Sequence, residues 1–158
     1  MILEAYFGWF PVRVSRSLST DESISKKEKH KFKENKMGNK EIVLKAMNEL
    51  FHEKDSKAIE RYWHESYKQH NPSMIDGHDG LKKLLPVLDA NFKWKPGIIV
   101  EENDIVVTHS LVHGWGAVPV IVVDIFRLED GKIAEHWDVV QEETPASKSA
   151  SGNAMTSF

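Results

Sequence analysis

Cysteine is absent from this 158-residue chain, which excludes disulfides, thiol catalysis and cysteine-ligated zinc. Long apolar runs are missing too: the longest, residues 117–123, falls far short of the ~20 residues that a membrane-spanning helix needs. There is no surplus of basic charge. With a net charge of -3 and an isoelectric point near 6.2, no broad cationic face for nucleic acid is expected. The opening stretch "MILEAYFGWFPVRV" is apolar but carries Glu4 and has no basic leader, so it reads poorly as a secretory signal. What remains is about one domain's worth of chain, 41% hydrophobic and 28% charged, with the composition of a soluble cytoplasmic protein.

The chain divides near Met37. Residues 1–36 hold eight basic against five acidic side chains, a local charge of +3 that leaves -6 for the rest. They show no periodicity and are read as an irregular, disordered extension. From Asn39, which the pattern marks as a helix N-cap, Ile42, Val43, Ala46, Met47, Leu50 and Phe51 form one apolar stripe of helical spacing. Asp55 or Ser56 caps a second helix carrying Ala58, Ile59, Tyr62 and Trp63, after which "ESYKQHNP" extends and Pro72 stops any helix. Leu81, Leu84, Leu85, Leu88 and Phe92 predict a third helix, kinked or restarted by Pro86. From residue 96 onward the sequence becomes β-branched, with turn signals at Asn103-Asp104 and Asp130-Gly131. Residues 144–158 are small and polar, and are read as a flexible tail.

Three helices followed by antiparallel strands predict an α+β domain with helices on one face of a strongly curved sheet. The last hairpin carries the chemistry. If "EDG" is a three-residue loop with Gly131 left-handed, Asp124 pairs with His136 and Val122 with Asp138. Asp124, His136 and Asp138 then share one face with Val120, Val122 and Phe126, three ionisable groups in apolar surroundings. A two-residue loop would put Asp124 opposite Trp137 and separate the group.

With "YKQHNP" after the second helix, "DGHDG" leading into the third and "VVDIFRLEDGKIAEHWDVV" as the closing hairpin, the chain resembles the SnoaL-like polyketide cyclases. These belong to the nuclear transport factor 2-like superfamily, and this chain is similar to its "predicted aldol condensation" branch over residues 40–143. The resemblance implies a cone-shaped fold, a curved antiparallel or mixed sheet wrapped by about three helices around one deep pocket, in a SnoaL-like domain spanning residues 37–143 and usually dimeric. It also implies a strand aspartate acting as general acid/base, which falls on Asp138; the position of the cyclases' partner histidine is held here by Asp124.

The residues themselves support such chemistry. A carboxylate in an apolar pocket can take a proton from carbon next to a carbonyl, as in the aspartate-based ketosteroid isomerases, where a second, protonated aspartic acid supports the oxyanion. Asp138 is the candidate base, with Asp124 or His136 as donor or orienter. The enolate could close a ring by aldol attack or be reprotonated elsewhere, and the same base could activate water. The alternative is a non-catalytic ligand-binding or dimerisation module on the same fold. His70 and Asn71 are read as contacts at the pocket mouth, and His109, Trp115 and Phe126, with Trp94, as walls for a small hydrophobic or carbonyl-containing ligand. His109 and His113 stand roughly 13 Å apart along a strand, too far to share a metal. Neither metal nor cofactor is expected, and nucleic acid and membrane are excluded as partners. A homodimer is expected through the outer sheet face that includes Ile121, Val123 and Ile125.

A chain beginning at Met37 is expected to keep its folded core. Thermal unfolding checks this: an unchanged melting temperature is expected, and a large loss would mean that Tyr6, Phe7, Trp9 and Phe10 dock on the domain.

Overall fold

A computed structural model describes residues 37–156; the expectation for residues 1–36 lies outside them. The first helix, α1, runs Asn39–Met47 and continues as a wider π-helical turn over Asn48–His52. All six residues of the predicted stripe are buried, so this element forms for the reason its spacing gives. Its start differs from expectation. Gly38 occupies the N-cap, and Asn39 lies one residue inside, with its side-chain amide donating to the carbonyl of Asn103. The capping oxygen comes from the sheet, where Glu101 accepts the Lys40 N–H at 2.9 Å, an acidic group at the positive end of the helix.

The second helix, α2, covers Ala58–Tyr62 with Lys57 at its N-cap, where Asp55 or Ser56 was expected; Asp55 instead accepts the Lys57 N–H at 2.9 Å in the turn before it. Trp63, predicted to be its last stripe residue, instead opens strand β1, Trp63–Gln69. The third helix, α3, is Gly77–Leu84, followed by a 3-10 turn at Leu85–Val87. Pro86 sits in the first turn of that segment, so the helix predicted to reach Phe92 gives out at the proline. Strands β2 (Lys93–Glu102), β3 (Ile105–His113), β4 (Val120–Glu129) and β5 (Lys132–Glu142) complete the domain. Beyond them, Ala146–Lys148 make a 3-10 turn and the Thr144 N–H donates to Met155 Sδ, so the predicted tail has local structure.

The sheet is mixed and curled, ordered β1-β5-β4-β3-β2, with β1 parallel to β5 and every other pairing antiparallel. This is the expected α+β cone. The helices cover one face, and the core between them includes Val43, Leu50, Ile59, Trp63, Val106 and Phe126.

The β4–β5 hairpin corrects the predicted register. Its loop has two residues, Asp130 and Gly131, at φ 51° and 77°, the left-handed pair that a type I′ turn requires, and Glu129 pairs with Lys132. Such a turn alone would have split the three ionisable residues. A bulge at Ala134 inserts one extra residue opposite Arg127 and Leu128, leaving Ile133 and Ala134 both buried and restoring the alternation. Asp124 therefore lies opposite Asp138 and Phe126 opposite His136, two residues from the expected pairing and so on the same face.

The glycines of "DGHDG" have separate reasons. Gly77 turns the chain at φ 71°, and a Cβ on Gly80 would stand 2.0 Å from the carbonyl oxygen of Ile75. Gly80→Ala is expected to cost about 1–3 kcal/mol through overpacking against backbone. Gly116→Ala, with nothing within 4 Å of its Cβ, should be close to neutral. Denaturant midpoints of the two variants check this.

Candidate active site

Between the inner sheet face and the helices lies a cavity open at one mouth. Trp63, Phe92, Trp94, Trp115 and Phe126 give it an aromatic wall. Strand alternation sends Asp124, His136 and Asp138 into this apolar space together.

Each polar group there is held by others. Asp124 is 5% exposed; its Oδ1 lies 3.2 Å from His136 Nε2, and its Oδ2 accepts from Thr108 Oγ1 at 2.9 Å and from Trp94 Nε1 at 3.4 Å. Ser110 Oγ stands behind Thr108 at 3.3 Å. The His136 ring stacks on Phe126 at 4.8 Å, and its Nδ1 meets the amide oxygen of Gln69 at 3.0 Å. Asp138 is half-buried and accepts from Asn71 Nδ2 at 2.6 Å. Among the described residues no lysine or arginine pairs with Asp138.

Two backbone N–H groups orient this arrangement. The Ser73 N–H donates to Asn71 Oδ1 at 2.8 Å, which leaves the Asn71 amide nitrogen facing Asp138. The Asn71 N–H donates to Gln69 Oε1 at 2.9 Å, while Gln69 Nε2 donates to the Tyr67 hydroxyl at 2.8 Å. A backbone N–H can only donate, so both side-chain amides are fixed in orientation. Burial pushes the Tyr67 phenol above its ordinary range, and the nearby Asp138, Asp76 and Asp124 carboxylates add to this, so its hydroxyl stays neutral. Asp76 clips the strip to α3: it accepts the Gln69 N–H at 2.8 Å, and the Gln69 and Gly77 amides hold its carboxyl below the usual range.

Of the residues proposed from sequence, Asp124, His136, Asp138, Phe126, Trp115 and Trp94 line the cavity, and Asn71 touches it through Asp138. His70 and His109 do not. His70 follows inward-facing Gln69, so it points to the other side, where its ring stacks on Trp137 at 4.7 Å and its Nε2 meets Glu135 at 2.8 Å. His109 pairs with Val123, the outward neighbour of Asp124, while Thr108 and Ser110 take the inner positions on β3. Sequence reasoning missed Gln69, Thr108 and Tyr67. Their signal was parity: Tyr67 and Gln69 share a strand face, as do Thr108 and Ser110.

One donor atom from each of Asp124, His136 and Asp138 lies within 4.8 Å of the other two, so a small cation could be held among them. This set of donors was not anticipated when His109 and His113 were weighed as ligands.

Residues 44–136 match the model of the SnoaL-like domain family. Solved structures agree in fold. TsrD from Streptomyces laurentii is 23% identical, with a TM-score of 0.52 over 63% of this chain and 88% of its own. A candidate polyketide cyclase from Acidithiobacillus ferrooxidans is 16% identical, with a TM-score of 0.56 over 65% and 87%. An NTF2-like protein of unknown function from Cytophaga hutchinsonii is 16% identical, with a TM-score of 0.59 over 68% and 94%. No curated protein matches the sequence significantly. Among the described residues no helix is long and apolar enough to cross a membrane.

Proposed function

The chain belongs to the SnoaL-like domain family, and from that premise we propose that it is a cytoplasmic small-molecule enzyme in which Asp138 acts as general base on a carbonyl, polyketide-like substrate, in aldol cyclisation or isomerisation. One observation carries the reading. Among the described residues, Asp138 presents its carboxylate to an apolar cavity with a single amide donor on it and no cationic partner, beside a buried Asp124–His136 couple. A merely structural aspartate would be neutralised by a fixed arginine or lysine, or saturated by backbone amides. The aromatic wall suits a flat, conjugated carbonyl compound. Removal of a proton next to the carbonyl produces an enolate, and a second carbonyl on the same substrate makes ring closure possible. Thermal shift against a panel of carbonyl compounds identifies the ligand class.

Asp138→Asn tests the base. The amide oxygen can still accept from Asn71, so stability is expected to stay within about 1 kcal/mol while turnover falls roughly 10²–10⁴-fold. A loss of about 3 kcal/mol or more in the denaturant midpoint, with no separate effect on turnover, would show a structural aspartate instead.

The protein is further proposed to be a homodimer through its outer sheet face. Ile98, His109, Val123 and Val139 form one row across four strands, and Val100, Val107, Ile125 and Trp137 form the next. Ile98, Val100 and Val139 are each more than half exposed in the single chain. Ile121, expected in this face, is buried, and Leu111 beside it is half-buried. Exposed apolar side chains on two adjacent rows are the kind of patch that marks a protein–protein contact. Sedimentation at micromolar concentration should give a dimer, and Val139→Lys should shift it to monomer. A clean monomer for the unaltered chain would refute the assignment.

A further inference from the structure

We infer that Gln69 is a positioning residue that fixes His136 with its proton on Nδ1, so that the one proton between His136 Nε2 and Asp124 is the proton delivered to substrate oxygen. This rests on the reading of Asp138 as base. Gln69 Oε1 already accepts the Asn71 N–H, and an amide oxygen has no proton to offer, so His136 Nδ1, 3.0 Å away, must be the donor. The opposite ring nitrogen faces Asp124 Oδ1 at 3.2 Å. Two bare lone pairs would repel at that distance, so one proton lies between them, whether the couple is drawn as imidazolium and carboxylate or as imidazole and acid. Asp124 Oδ2 is occupied by the Thr108 hydroxyl and the Trp94 indole N–H. The couple therefore carries a single transferable proton and no net charge.

The two sites then exchange charge rather than create it. Asp138 takes the proton from carbon as the C–H bond breaks; that electron pair forms the C=C bond, and the carbonyl oxygen takes the proton held between His136 and Asp124, giving the enol. Asp138 passes from carboxylate to acid while the couple passes from neutral to one negative charge, which Thr108 and Trp94 are placed to receive on Asp124. No charge enters the apolar cavity from water. Were His136 protonated on Nε2 with Nδ1 bare, the ring would face Gln69 Oε1 lone pair to lone pair. The role of Gln69 is thus to choose the tautomer, much as an oriented acceptor does for a catalytic imidazole elsewhere.

The test is imidazole ¹⁵N NMR of the uniformly labelled full chain, with the His136 signals assigned by their loss in His136→Gln. A protonated Nδ1 with a resolved one-bond N–H coupling is expected, and a bare Nδ1 would overturn the inference. Gln69→Glu keeps an oxygen acceptor and should retain the Nδ1–H signal; Gln69→Leu should lose it and lower kcat at least tenfold with little change in KM. An unchanged tautomer in Gln69→Leu would also overturn it. Should Gln69→Leu fail to fold, the unaltered chain and Gln69→Glu still decide the matter. Absence of turnover on every carbonyl compound that binds would sink the enzyme reading and leave the tautomer result standing on its own.

Discussion

The amide oxygen of Gln69 accepts two hydrogen bonds, from the Asn71 backbone and from His136, and the polar side of the cavity depends on that double acceptance. It joins two distant parts of the sequence. Parallel pairing of β1 with β5 sets Gln69 beside His136, and the His70 N–H donates to the His136 carbonyl at 3.0 Å, so backbone and side chain hold the same juxtaposition. From there the orientation passes outward in both directions: through Asn71 to Asp138, and through His136 to Asp124, Thr108 and Ser110. A polar chain of this kind, enclosed by aromatic side chains, is stable only when each member is satisfied, because an unpaired buried donor or acceptor costs about 1–3 kcal/mol. Its members are therefore rigid together. Rigidity is what a site built on positioning requires, since a reacting carbonyl gains from groups that need no rearrangement when the charge moves.

His109 shows what the opposite face lacks. Its Nδ1 is buried without a hydrogen-bond partner, the only such side-chain atom among the described residues. It sits in a row between Ile98 and Val123, both apolar. Inner and outer faces thus differ in kind: one is polar at its centre and fully satisfied, while the other is apolar and unfinished. A second copy packed on the outer face would bury the same rows from both chains, which is the self-complementary contact that two-fold symmetry produces.

Much of the fold is legible in the sequence wherever one period dominates. The stripe from Ile42 to Phe51 is helical and buried as its spacing says, and the β-branched segments after residue 96 are strands. What failed to show was long-range substitution of one group for another. Glu101, sixty residues away in β2, takes the capping role that Asn39 would fill locally, and nothing near Asn39 reveals it. Strand faces were harder still. β3 and β4 carry large apolar side chains on both sides, so parity alone does not say which side meets the helices, and His109 lies on the outer one; His70, just past the end of β1, points away from the cavity as the neighbour of inward-facing Gln69. The hairpin illustrates two departures that add: the two-residue loop moves the register by one residue and the bulge at Ala134 moves it by one more, and because a two-residue shift keeps strand parity the shared face of Asp124, His136 and Asp138 survives with a different pairing.

That pairing bears on the one departure from the cyclase pattern. The resemblance places a partner histidine where this chain has Asp124, which taken alone would leave two carboxylates facing each other across β4 and β5 with no neutralising group. The imidazole is instead one turn of the pleat away, on β5 at His136, within 3.2 Å of Asp124. Two carboxylates and one imidazole holding a shared proton carry one net negative charge, and on the proposed mechanism that charge belongs to Asp138 at the start of the reaction. The proton associated with a histidine is kept in the cavity although the histidine has changed strands. What Asp124 adds is a second acceptor for that proton, a carboxylate whose Oδ2 takes hydrogen bonds from Thr108 and Trp94, and these donors offset the negative charge left when the proton departs. An aspartate at this position is therefore compatible with acid chemistry only because His136 stands inward beside it, and His136 stands inward only because Ala134 bulges.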